Sequence, residues 1–271
     1  MPTGLGVQLG LGGGRSATTS GAPAGGGAVV NDYSCAFDGA DDAMELGDLG
    51  TAGRSFGALS FWANADDQFE AGDAANRQML LGWRGNSNDF DGVRYGYFST
   101  TTSMFSVRIN NVNVASWDVT SGDKLPVGWH HIVFTHNGTG YTFYVDGVLA
   151  TSNALGGSIT TASQAIITGS DFDDVRLADR ANVTTNNRAF DGKIDELALF
   201  DTALSASNIS DIYNSGTPND IGPDGLNLSP SGWWRMGDGT EDHSGATVYD
   251  MSVNSNNGTL INGADYSTTV P

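Results

Sequence analysis

Short runs in which apolar and polar residues alternate recur from Tyr33 to Phe200. In residues 128–152, GWHHIVFTHNGTGYTFYVDGVLATS, Ile132 and Phe134 alternate with Val133 and Thr135, so successive side chains fall on opposite faces of a strand. Asn137-Gly138 follows, and both residues tolerate positive φ. Tyr141, Phe143 and Val145 then alternate with Thr142, Tyr144 and Asp146, until Asp146-Gly147 turns the chain again. Runs at 33–38, 43–47, 56–64, 78–83, 93–99, 104–109, 112–118, 129–136, 140–146, 148–152, 164–169, 174–179 and 190–200 predict an all-β sandwich. Pro126, Pro218, Pro223 and Pro230 lie between runs, where a missing N–H removes no ladder bond. One helix is expected, capped by Ser205 and carrying Ile209, Ile212 and Tyr213.

Residues 190–209 read FDGKIDELALFDTALSASNI, a strand that runs into the capped helix. With the meander at 128–152 and FDGADD at 37–42, this segment resembles the laminin-G-like, concanavalin-A-like jelly-roll domains. Their usual forms are W-H-H-V…L-Y-V-D-G, F-x-G-x-I-D-E-V…A-L-S-x-x-E-I and F-D-G-x-D-D. The resemblance covers roughly residues 34–214. It implies the fold, and it says little of function, because one sandwich serves lectins, enzymes and structural proteins.

Residues 232–261, GWWRMGDGTEDHSGATVYDMSVNSNNGTLI, resemble the opening strands of that family, which normally precede F-D-G-x-D-D. Here they follow the helix, after a connecting loop at 215–231. The expected architecture is a circularly permuted jelly roll over 31–271, with the tail at 232–271 completing the sandwich. The tail folds back on its own domain, exchanges with a neighbour's, or is a truncated second copy. Residues 1–30 are Gly, Ala, Ser and Thr with scattered Leu and Val. They read either as a flexible arm or, through Leu5, Val7, Leu9 and Leu11 alternating with Gly and Gln, as a strand for a neighbour's sheet edge.

The net charge of −19, with lysine only at Lys124 and Lys193, repels phosphate backbones and anionic membranes, so nucleic-acid binding is not expected. The single cysteine, Cys35, excludes an intrachain disulfide and reads as a buried small hydrophobe. No apolar run is long enough for a membrane helix, and the first residues lack the basic and apolar regions of a secretory signal.

A glycoside hydrolase on this fold needs two carboxylates facing one cleft. No E-x-D-x-x-E run is present, and Asp195 and Glu196, being adjacent on a strand, are expected to face opposite ways. The reading is therefore non-enzymatic. The family resemblance implies a structural calcium ion between the opening segment and the last strand, with Asp195, Asp238, Asp250 and Asn254 at the matching positions. The competing expectation is that Asp250 and Asn254 make only turn hydrogen bonds. Trp83, Arg84 and Tyr97 are the candidate glycan-binding side chains, as aromatic rings beside a planar polar group; core packing is the alternative for such rings. His130-His131 are expected to be packed, hydrogen-bonded histidines, since strand neighbours cannot share one metal ion.

The leading expectation is a structural protein of a tailed-phage virion, assembled in the host cytoplasm. It would contact other virion proteins through the N-terminal arm, form homo-oligomers and weakly grip host surface polysaccharide. The rival is a carbohydrate-binding, lectin-like module of a marine or halophilic microbe.

Overall fold

The structure is a computed structural model, and it describes residues 29–50, 55–71, 78–84, 91–96, 102–162, 167–168, 172–180, 188–238 and 245–271. In chain order the first strands are β1 (Ser34–Asp38), β2 (Ala43–Gly47), β3 (Ser55–Phe56), β4 (Ala58–Ala65), β5 (Gln78–Arg84), β6 (Asp91–Tyr95), β7 (Ser103–Ile109) and β8 (Val112–Asp118). The meander follows as β9 (His130–His136), β10 (Tyr141–Val145) and β11 (Val148–Leu149). Then come β12 (Ser158–Thr161), β13 (Ile167–Thr168), β14 (Asp173–Leu177), β15 (Asp191–Phe200) and the helix α1 (Ala206–Tyr213). The tail supplies β16 (Gly232–Trp234), β17 (Thr247–Val248), β18 (Gly258–Ile261) and β19 (Asp265–Ser267).

Two antiparallel sheets face each other. One has the order β11-β10-β9-β4-β15-β1-β19, with β16 also on β15, and the other β12-β8-β7-β6-β5-β14-β2-β18-β17. Alternation decides which side chains fill the space between them. Val93, Val107 and Ala115 lie opposite one another on β6, β7 and β8, and Phe105 lies between Tyr95 and Trp117. All of these join Phe61, Phe134 and Phe143 of the opposing sheet in one buried cluster. The other face of the first sheet is covered by α1 and the loop after it, through Val133, Phe200, Leu204, Ile209, Ile212 and Ile221.

The punctuation of the meander works as its residues require. Asn137 Oδ1 accepts the N–H groups of Thr139 and Gly140, and Asp146 and Gly147 both have positive φ. Asp146 also anchors β9, accepting the His131 N–H at 3.0 Å and pairing with His130 Nδ1 at 2.8 Å. His130 and His131 point to opposite sides, and His131 is fully buried with Nε2 on Ser60 Oγ at 2.8 Å. Ser205 caps α1 by accepting the Asn208 N–H while Asn208 reaches back to the Ser205 N–H. Cys35 is buried.

The tail pairs with this chain's own strands. β16 pairs β15, β18 pairs β2 and β19 pairs β1. β1 and β16 thus lie end to end along one side of β15, β1 against Ile194 and the residues before it, β16 against Leu197 to Leu199. Among the described residues, no helix is long and apolar enough to cross a membrane.

Candidate functional site

The seam between β1 and β16 coincides with a β-bulge. Asp195 pairs with Trp62 of β4 and Ala198 with Ser60, so three steps on β15 answer two on β4. Glu196 takes the extra position with φ +47. Ile194 and Leu197 consequently both face the core, although residues three apart on an unbroken strand face opposite ways. The same extra residue overturns the expectation for Asp195 and Glu196. Their carboxylate oxygens converge with those of Asp238, all within 4.8 Å of one another. The Ile194–Leu197 spacing in the sequence carried this signal, and Glu196 is the site residue it would have added.

The three acids are sealed, with 0%, 7% and 1% exposure for Asp195, Glu196 and Asp238. Arg235, just beyond β16, supplies a guanidinium: Nε is 3.0 Å from Glu196 Oε1, and Nη2 is 3.9 Å from Asp238 Oδ2. Trp233 Nε1 donates to Glu196 Oε2 at 2.6 Å, and Asp195 Oδ1 accepts the Glu196 N–H. Asp238 Oδ1 accepts the N–H groups of Asp32 at 2.7 Å and Tyr33 at 3.0 Å. Burial, reinforced by the charges of Glu196 and Asp238, holds the Asp195 carboxyl well above the usual carboxylate range. Burial also raises Glu196, against the opposing pull of Arg235, and raises Asp238 despite its backbone donors.

These residues fit a hard cation. Asp195 Oδ2 and Asp238 Oδ2 are buried without a hydrogen-bond partner, and the amide of Asn31 lies beside Asp195 without completing a well-formed bond. Orphaned buried carboxylate oxygens are costly, and an all-oxygen donor set suits calcium rather than zinc or copper. Asp195 and Asp238 would hold the ion through their Oδ2 atoms, Glu196 being engaged by Arg235 and Trp233.

Asp250 and Asn254 stand apart from this group. Asp250 Oδ1 accepts the N–H groups of Trp233 and Ser252, and Oδ2 accepts that of Asn256. Asn254 Nδ2 donates to the Ser231 carbonyl. Both side chains serve the loop that ties 250–257 to β16.

The expected glycan surface is divided too. Trp83 is fully buried between the sheets and stacked on Phe172, with ring centroids 5.1 Å apart. It occupies the inward side of β5, beside Leu81, because alternation along the strand turns it there. Arg84, next along the strand, is outward and half-exposed, 3.9 Å from Asp174. Tyr97 lies outside the described residues.

Residues 38–210 match the family model of the concanavalin A-like lectin/glucanases superfamily, and the chain belongs to that superfamily. A Bacteroides ovatus protein provisionally described as carbohydrate binding is similar to it at 17% identity and a TM-score of 0.56, over 89% of this chain and 60% of that one. The chain therefore spans less than two thirds of that protein's length. Domain 4 of the arabinanase AbnA from Geobacillus stearothermophilus is similar at 17% identity and a TM-score of 0.40, covering 66% of this chain and 76% of that one. A SAP-like pentraxin from Limulus polyphemus is similar at 12% identity and a TM-score of 0.43, covering 70% and 86%. A search of the curated proteins found no match.

Proposed function

We propose that this chain is a non-enzymatic, lectin-like carbohydrate-binding module. The observation that carries the non-enzymatic part is the sealing of its converging acids. Asp195, Glu196 and Asp238 are buried and Glu196 is neutralised by Arg235, whereas a glycosidase pair flanks its sugar in an open cleft. Membership of a lectin and glucanase superfamily, and likeness to a protein described as carbohydrate binding, support glycans as the ligand class. With Trp83 in the core, the ligand surface is sought on outward groups such as Arg84. A glycan array read with and without calcium tests this: selective binding at micromolar affinity is expected, and silence across the array overturns it.

The seam acids act in this reading as a structural calcium site. The tail is read as the family's opening strands moved to the other end of the chain, a permutation supported by the pairing of β16, β18 and β19 with β15, β2 and β1.

A second reading is a tailed-phage virion subunit, a head decoration, fibre or tail-associated protein. The Gly-rich stretch before Val29 and the charge of −19 favour it. Here the arm would anchor the sandwich to other virion proteins and the jelly roll would touch host polysaccharide. Mass spectrometry of purified virions lacking this polypeptide would overturn it.

A further inference from the structure

The seam joins the two ends of the domain as well as its charges. Asp238 holds the backbone of Asp32 and Tyr33 through one carboxylate oxygen, and Arg235 Nη2 donates to the carbonyl of Val30 at 2.6 Å. The tail thus holds the backbone of Val30, Asp32 and Tyr33 directly. The tail is held in turn by Asp195 and Glu196 of the bulge, through Arg235 and Trp233. Val30 itself is 60% exposed, so its own apolar burial does little to hold it there. The Oδ2 atoms of Asp195 and Asp238 are buried without a hydrogen-bond partner, Asp238 Oδ2 lying 3.9 Å from Arg235 Nη2, and the Asn31 amide lies beside Asp195.

We propose that a divalent cation bridging Asp195 and Asp238 staples the entering chain to the tail, so that residues 30–33 dock in the seam when the ion is bound and leave it when the ion is removed. This rests on the cation reading given above and adds to it a consequence for the N-terminal segment. Asp238 is the group that carries the Asp32 and Tyr33 amides, so removing the ion takes away a contact that fixes this carboxylate, and movement of Asp238 would carry residues 30–33 with it.

Hydrogen exchange of the full chain, followed by mass spectrometry at the Asp32 and Tyr33 amides, tests the staple in calcium and in EDTA. If opening of the segment releases the ion, linkage predicts that calcium at about ten times its dissociation constant slows these amides roughly tenfold. Asp195→Asn is expected to abolish the difference, while the meander amides of Phe134 and Phe143 exchange equally in both conditions. Calcium binding is measured separately by isothermal titration and by terbium luminescence. Binding with unchanged exchange at Asp32 and Tyr33 overturns the staple and leaves the cation site standing. Equal slowing of the meander amides also overturns it, since the ion would then be stabilising the whole fold. No binding in either titration overturns the site and the staple together. The wild-type comparison decides among these outcomes whether or not the variant folds.

Discussion

Replacing Arg235 with Met removes the guanidinium that is 3.0 Å from Glu196 and 3.9 Å from Asp238, while keeping an unbranched apolar stem of similar reach. Glu196 then keeps only the Trp233 indole as a neutral donor, and three acids within 4.8 Å lose their counter-charge. Arg235 and Glu196 side chains are 9% and 6% exposed, so solvent screening offers little relief. Breaking a buried pair from one side costs about 3–5 kcal/mol. For a domain of this size that lowers the melting temperature by roughly 6–20 °C. Urea unfolding in EDTA near neutral pH, at unchanged m-value, is the assay, with EDTA present so that no metal ion substitutes for the arginine. Adding Glu196→Gln to Arg235→Met should recover most of the loss, because the stranded charge is gone. The deficit should also narrow on acidification: acids whose folded-state pKa is raised take up protons on the native side first, and stability contributed by their protonation grows as pH falls. A loss below about 1 kcal/mol for Arg235→Met, or no recovery in the double variant, would refute the assignment of Arg235 as the internal counter-ion.

Three further outcomes are expected. Trp83→Ala should cost about 3–5 kcal/mol of stability, read by chemical unfolding, and Trp83→Phe much less, since the ring fills core volume; a glycan-specific loss at full stability would contradict this. His131 is buried neutral, its pKa lowered to about 3 by burial, so the unfolded chain binds the extra proton and stability falls by roughly 1.4 kcal/mol per unit as pH drops from about 6.5. His131→Gln should flatten that limb relative to wild type, and parallel pH profiles would count against it. Gly57→Ala would place a Cβ 2.1 Å from the Thr202 carbonyl carbon, in backbone rather than a yielding side chain, and should cost about 3 kcal/mol or more; a variant of wild-type melting temperature would show the strand-to-loop packing to be wrong.

What could be read along the chain was local. Period-two alternation placed β2 and β8 to the residue, because each carries apolar residues for the core and polar or small ones for the other face. Asn137-Gly138, Asp146-Gly147 and Ser205 announced their turns and cap, because each supplies its own backbone geometry or hydrogen bonds. The burial of Trp83 was ambiguous for the same reason that made its strand legible: alternation says which residues share a face, and only the opposing sheet says which face is inside.

The site was half legible. Asp195 and Asp238 were candidates from the family pattern, yet strand parity separated Asp195 from Glu196, and Asp250 looked equal to both. The bulge reversed the first expectation by inserting one residue against β4, and three backbone donors accounted for Asp250. Sequence by itself determined the strands, the turns, the capped helix and the strongly acidic charge. The tertiary structure alone decided that Arg235 and Asp238 of the tail meet Asp195 and Glu196 beside residues 30–33. Those groups are some forty to two hundred positions apart along the chain, and they converge only because β1 and β16 share one side of β15 at the place where its register slips.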